Sequence, residues 1–222
     1  MNQRILVWDI PTRLFHWLLA ASFAGAFLTA ESERYRDIHV LSGYTLLGLI
    51  AFRLLWGFIG SRYAQFRSFL FTPREVAVYL RSLLKAVPAH YVGHNPAGSV
   101  AVFALLALGI VSAISGVMLF QDIGGDVLEE LHEGVAFVML TVVALHVAGV
   151  LVSSLLHREN LVRSMITGLK SAKPQEGIRR AHTWLGVIML VAVVAFWTIY
   201  PAIDQPPASN NAPQAGRHHD GD

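Results

Sequence analysis

The chain has 222 residues, 54% of them hydrophobic and 14% charged, with a formal net charge of +2 and a mean hydropathy of +0.50. That is too apolar for one soluble domain, and the apolar residues fall in runs near the ~20 residues that cross a bilayer as a helix. Cysteine is absent, which excludes disulfides, thiolate metal sites, iron–sulfur clusters and thioether-attached haem.

In chain order, the lead Val7-Trp8-Asp9-Ile10-Pro11 is aromatic and acidic, unlike the basic lead of a cleaved signal peptide. Five apolar runs follow: Leu14 to Ala30, His39 to Ile59, Ala97 to Phe120, Leu131 to Leu156 and Ala181 to Tyr200. The expected fold is therefore an all-α, multi-pass membrane bundle in contact with the lipid bilayer on all sides. Between the second and third runs, Thr72-Pro73-Arg74-Glu75 reads as a helix start and Val76, Leu80, Leu83 and Leu84 as the stripe of an amphipathic surface helix. The stretch Pro201 to Asp222 has no apolar period and reads as a disordered tail, with His218 and His219 as weak metal donors.

Thirteen of the seventeen lysines and arginines lie before the first run, between the second and third, or between the fourth and fifth. The loop Gln121 to Glu130 on the other side carries four acids and no base. The positive-inside rule then puts the N-terminus in the cytoplasm and the C-terminus in the periplasm. The small net charge follows from this topology and gives no footprint for nucleic acid.

Four histidines sit inside these runs, and an ionisable side chain in a hydrocarbon span is a functional-site candidate. His132 and His146 share the fourth run, and fourteen residues of α-helix make about four turns and rise about 21 Å, so the two imidazoles face one way at two depths. His16 matches the depth of His146, and His39 that of His132. Two such pairs suit two stacked haems with two axial histidines each. Small residues one turn along each helix, Ala20, Gly43, Ala136 and Gly149, leave bare surface for a flat group.

Arg53 follows His39 by the interval that separates His132 from His146. Its guanidinium either holds haem propionates at the inner level or snorkels to the headgroups beside Trp56, and Arg13 is a second propionate candidate. His182, at the start of the fifth run, is either an interfacial residue or a rival of His16 for the inner site. His90, His94 and His157 fall in polar loops and are expected in water.

Several segments in order resemble the prokaryotic cytochrome b561 family: Val7-Trp8-Asp9-Ile10-Pro11-Thr12-Arg13-Leu14-Phe15-His16-Trp17, His39, Gly93-His94-Asn95-Pro96-Ala97-Gly98, the His132 to His146 pair and Arg158-Glu159-Asn160-Leu161-Val162. That family includes the b-type cytochrome subunits of membrane nickel–iron hydrogenases. The resemblance spans about residues 4–170 and implies a four-helix haem bundle with two haem b groups on His16, His39, His132 and His146. Residues 1–170 would form that domain, 171–200 an additional fifth transmembrane helix and 201–222 the tail. The implied role is electron transfer across the cytoplasmic membrane between a quinone and a redox partner protein, such as a hydrogenase or a c-type cytochrome. Superoxide-oxidising enzymes share these ligands within the family, and the rival readings outside it are a histidine-relay divalent-metal transporter and a non-redox membrane anchor.

Overall fold

In a computed structural model, the chain is described over residues 3–83, 85 and 89–203. Leu84, His218, His219 and the rest of the tail beyond Ile203 lie outside the described residues. Seven helices are present among them: α1 (Ile10–Thr29), α2 (Arg36–Ile59), α3 (Pro73–Leu83), α4 (Pro96–Phe120), α5 (Gly125–Leu156), α6 (Leu161–Thr167) and α7 (Thr183–Ile203). Four have the length and apolarity to cross a membrane: the stretch Glu33–Ile59 containing α2, then α4, α5 and α7. The expected first span, α1, is 20 residues long but carries Thr12, Arg13 and His16 and is not among these four. Together they mark a multi-pass membrane protein.

Four of the helices, α1, α3, α4 and α6, begin where the sequence supplies a side-chain cap. Asp9 caps α1, its Oδ1 accepting from the Thr12 backbone N–H at 2.8 Å, with Pro11 in the first turn. Asn95 does the same for α4 through Gly98 at 2.7 Å, again followed by proline. Thr72 and Glu75 form a reciprocal capping box at the start of α3. The buried residue of α3 is Tyr79, while Leu80, expected in the apolar stripe, is 49% exposed. Three- and seven-residue offsets therefore set the packed face, and the large ring takes the place of the smaller leucine.

Helix α5 starts at Gly125, six residues before the apolar run, so half of the expected acidic loop is helical. The turn into it is short because Asp122, Gly124 and Gly125 all adopt positive φ. At the other end, α7 extends past Tyr200 to Ile203, three residues into the segment expected to be a tail.

Beside the expected all-α bundle stand two four-residue strands, β1 (Gln3–Leu6) and β2 (Leu169–Ala172), paired antiparallel with Gln3 opposite Ala172 and Leu6 opposite Leu169. A strand this short carries too little apolar alternation to be read from sequence. It ties the start of the chain to the segment after α6. Tyr63 Oη donates to the Glu176 carbonyl at 2.8 Å and Lys170 Nζ to the Tyr91 carbonyl at 3.2 Å. The three basic segments thus gather at one end of the bundle, under a small core of Ile5, Val7, Trp8, Tyr63 and Ala172.

Helix α2 is central, packing against α1, α4 and α7, and 39% of its most apolar window is buried against 6% for α5. Small residues set the close crossings: a Cβ on Gly25 would lie 2.9 Å from Ser42 Oγ, and one on Gly109 2.7 Å from Ile50 Cδ1. Helix α7 is fastened by Trp197, whose Nε1 donates to Thr45 Oγ1 at 2.9 Å. The main core includes Phe15, Leu46, Ile50, Leu106 and Met139.

Asp9 is fully buried, and its second oxygen accepts from Trp56 Nε1 at 3.1 Å. One carboxylate therefore caps α1 and fastens it to α2. Asp9→Ala is expected to cost about 2 kcal/mol or more, seen as a lower thermal unfolding midpoint in detergent, with Asp9→Asn recovering part of the loss.

Candidate functional site

The first histidine of α2, His39, and the first of α5, His132, come together with ring centroids 6.2 Å apart and planes at 71°. His39 Nδ1 lies 2.8 Å from the Ala26 carbonyl, which can only accept, so that nitrogen carries the proton. His132 Nδ1 lies 2.9 Å from Ser115 Oγ. The Ser115 hydroxyl already donates to the Ser112 carbonyl at 3.0 Å, so its oxygen accepts from the imidazole. Both rings are thereby held with Nε2 as the free lone pair, the arrangement found in metal-ligating histidines with an oriented outer partner.

These two rings line a cavity of about 580 Å³, with Ala26, Gly43, Gly116 and Ala136 forming much of the bare wall. An adjoining cavity of about 250 Å³ continues past the same histidines to Ser32, Glu33 and Arg36. The size falls within the ~300–1,000 Å³ typical of cofactor sites. Gly116 has a specific reason: a Cβ there would sit 3.0 Å from His132 Cε1. Neither Ser115 nor Gly116 is legible from sequence, since serines and glycines are common in membrane helix interfaces.

At the other depth, His16 of α1 faces His146 of α5 at 6.4 Å between centroids, with planes at 54°. His16 Nδ1 is buried without a hydrogen-bond partner, as is Thr12 Oγ1 one turn before it. A Cβ on Gly149 would meet nothing within 4 Å. Met139, 2% exposed, stands seven residues from each histidine of α5, between the two levels. Phe27 and Phe137 bridge α1 and α5 nearby, 5.7 Å apart edge to face.

The separations are themselves a test of fit. A metal–imidazole bond of about 2.0 Å plus about 1.2 Å from nitrogen to ring centre, taken twice, places centroids about 6.4 Å apart. Both pairs match one metal held between two imidazoles. No group of three or more histidine, aspartate or glutamate side chains suited to a metal occurs among the described residues, so any remaining ligands must come with the metal. A planar macrocycle supplies four.

Arg53 does not snorkel. It is 3% exposed, its Cζ lies 4.8 Å over the Phe66 ring and 5.8 Å from that of Phe69, and its Nη1 is buried without a partner. Trp56 is likewise buried on Asp9 and is no belt residue. Arg13 donates from Nη1 to the Ile166 carbonyl at 2.6 Å, holding the end of α6. His182 packs edge-on against Trp56 at 5.2 Å, apart from the His16–His146 pair.

Of the polar-loop histidines, His90 is exposed as expected, whereas His94 buries its Nδ1. His90 pairs with Glu159 at 3.5 Å and packs on His157 at 5.5 Å, while Lys170, 5% exposed, holds the same carboxylate at 3.3 Å. His94 packs on Trp8 at 4.8 Å and Phe69 at 4.4 Å, and its Nδ1 is buried without a partner. Burial, then the charges of Arg53, His146, Lys170 and His16, push its pKa down to about 3. Its place in a polar stretch concealed this, because the aromatic wall comes from distant segments.

Sequence comparison places these features among known proteins. The family model described as prokaryotic cytochrome b561 matches residues 7–168. A probable Ni/Fe-hydrogenase B-type cytochrome subunit of Azotobacter chroococcum is 30% identical over 149 residues, 53% of this chain and 60% of that protein. One of Rhizobium leguminosarum is 25% identical over 225 residues, covering 79% of this chain and 92% of its own. A probable Ni/Fe-hydrogenase 1 B-type cytochrome subunit of Escherichia coli K12 is 25% identical over 145 residues, 52% and 60% of the two. This chain thus spans only about 60% of the first and third of these relatives. No solved structure matches it.

An unfolded histidine titrates near 6.5 and folded His94 near 3, so between these values the unfolded chain binds a proton that the folded one lacks. Stability attributable to this residue therefore falls as the pH drops from about 6.5 towards 3, by up to a few kcal/mol. Thermal midpoints measured from pH 7 to 4.5 are expected to decline less steeply in His94→Gln than in the parent.

Proposed function

Because this chain belongs to the prokaryotic cytochrome b561 family, we propose that it is a di-haem member carrying electrons across the cytoplasmic membrane. A b-type cytochrome role in electron transfer, with haem b as cofactor, is what the family and its relatives support. The observation that carries the di-haem reading is the pair of imidazole separations, 6.2 and 6.4 Å, at two depths of α5.

In this reading His39 and His132 hold one haem iron and His16 and His146 the other, with Gly43 and Gly149 giving the flat faces. The bundle is residues 1–170, with α7 an accessory helix packed outside the histidine gap on α1 and α2. Haem held by these four histidines would supply reversible one-electron chemistry, suited to outer-sphere transfer over ligand activation.

The chain's own contribution is positional. The Ala26 carbonyl and the Ser115 hydroxyl fix the outer rings as Nδ1–H tautomers and keep Nε2 aimed inward. Apolar side chains, Phe27 and Phe137 among them, wall the outer cavity, and the buried, polarizable Met139 stands between the levels. The helical rise of about 21 Å between His132 and His146 spans most of a hydrocarbon core of about 30 Å. One centre thus lies towards each surface.

Arg13 and Arg53 are assigned to haem propionates at the inner level. The electron partners are a quinone and, as the names of the relatives suggest, a nickel–iron hydrogenase; a soluble c-type cytochrome is the alternative protein partner. The basic end of the bundle, with the N-terminus, faces the cytoplasm and the C-terminus faces the periplasm.

Purified protein is expected to show a reduced-minus-oxidised b-type spectrum and two haems per chain by pyridine haemochromogen assay. Absence of haem, or stoichiometric tightly bound zinc in its place, would overturn the assignment in favour of metal transport. Single substitutions separate the centres: His39→Ala or His132→Ala is expected to halve the haem content by removing the outer group, and His16→Ala or His146→Ala to halve it by removing the inner. Ser115→Ala is expected to loosen the outer haem alone, by about tenfold in retention.

A further inference from the structure

Arg53 presents an imbalance of charge. A guanidinium 97% removed from solvent demands an anion, because an unpaired buried charge loses its hydration and gains nothing in return. The nearest carboxylate, Asp9, acts on it only at a distance, and its oxygens are occupied by the Thr12 N–H and Trp56 Nε1. Among the described residues the ion pairs are those of Glu159 with His90 and Lys170, so Arg53 has none. The two phenyl faces over it supply quadrupole attraction but no hydrogen-bond acceptor in the plane of its Nη1.

A second orphan lies beside it. The Phe69 ring that flanks Arg53 at 5.8 Å also packs on His94 at 4.4 Å, and His94 Nδ1 is sealed without a partner. The electrostatic neighbours of His94 are Arg53, Lys170 and both histidines of the inner pair, and no carboxylate. A fixed charge and a neutral donor, walled by Phe66, Phe69 and Trp8, therefore stand together at the inner level with no acceptor between them. We propose that Arg53 and His94 form a two-donor anion site that takes a carboxylate of the inner haem. Arg53 gives the charge and planar fork and His94 gives one N–H.

This rests on the di-haem reading and extends it, since it makes the loop before α4 part of the inner centre and gives its buried histidine a role. His94 is a positioning residue: it touches a substituent of the cofactor and not the iron. Losing a donor to that carboxylate leaves more negative charge beside the centre, so reduction becomes less favourable and the inner midpoint falls. The shift is smaller than that from removing the Arg53 charge.

The test uses full-length, haem-loaded protein carrying His94→Leu, His94→Gln, Arg53→Leu or Arg53→Lys. Redox titration resolves the two midpoints, and reduced-minus-oxidised infrared spectra are taken with haem labelled with carbon-13 at its carboxylates. The expected result is a downward shift of the inner midpoint alone in His94→Leu, a larger one in Arg53→Leu, and partial recovery in His94→Gln and Arg53→Lys. The labelled carboxylate bands move in step. Unmoved inner midpoint and bands in a His94 variant that keeps both haems would overturn the proposal. So would a parent inner midpoint that responds to added phosphate or acetate while the labelled bands stay fixed, which would assign the site to a free anion. If the leucine variant does not accumulate, His94→Gln decides on the same readouts. A parent protein devoid of haem would instead remove the di-haem reading itself.

Discussion

An ionisable side chain placed in a hydrocarbon-length helix must find a partner, and that one constraint organises this protein. Several polar groups within the bundle have found theirs. Asp9 is satisfied by a helix cap and an indole, Thr45 by Trp197, and the outer imidazoles by a carbonyl and a hydroxyl on one nitrogen each. Buried atoms left without a partner are Thr12 Oγ1, His16 Nδ1, Arg53 Nη1, Ser61 Oγ, Tyr79 Oη and His94 Nδ1. Of these, His16, Arg53 and His94 bear on the inner level, where His16 meets His146.

The helices facing the gap divide the labour. Helix α5 supplies one histidine to each level and is the least buried of the spans, so it acts as a ruler held mainly by α4. Helices α1 and α2 supply the opposite imidazoles at the two depths and are locked to each other by glycine–serine contact and by the Asp9–Trp56 bond. The rigid half therefore presents the partners against which α5 is registered. A shift of α5 by one residue would turn both its histidines away together, so the levels are coupled through one helix.

The spacing of His132 and His146, and their match in depth to His39 and His16, was readable because helical rise and rotation follow from residue number alone. The start of α3 was readable from the local residues Thr72 to Glu75. What the sequence concealed were properties set by distant contacts. His94 sits in a polar stretch, yet Trp8 and Phe69 arrive from other segments to bury it. Trp56 looked like an interfacial anchor until Asp9, far away in sequence, took its N–H. Ser115 and Gly116 carry no signal of their own, because their role exists only relative to the His132 ring. The β1–β2 pair was missed for a related reason: four residues give no period, and pairing depends on where two termini of the bundle meet.

That pairing has a consequence for how the molecule is made. Strand β1 is synthesised before its partner β2, which follows only after six of the seven helices have been made. Its backbone groups must wait, and the contact is among the longest in sequence separation that the chain makes, hence slow to close. Strand pairing therefore acts as a late clasp in biogenesis: it can draw α1 into final register only once α5 is in place. The His16–His146 pair, shared between those two helices, is on these grounds the last part of the bundle to take its mature form.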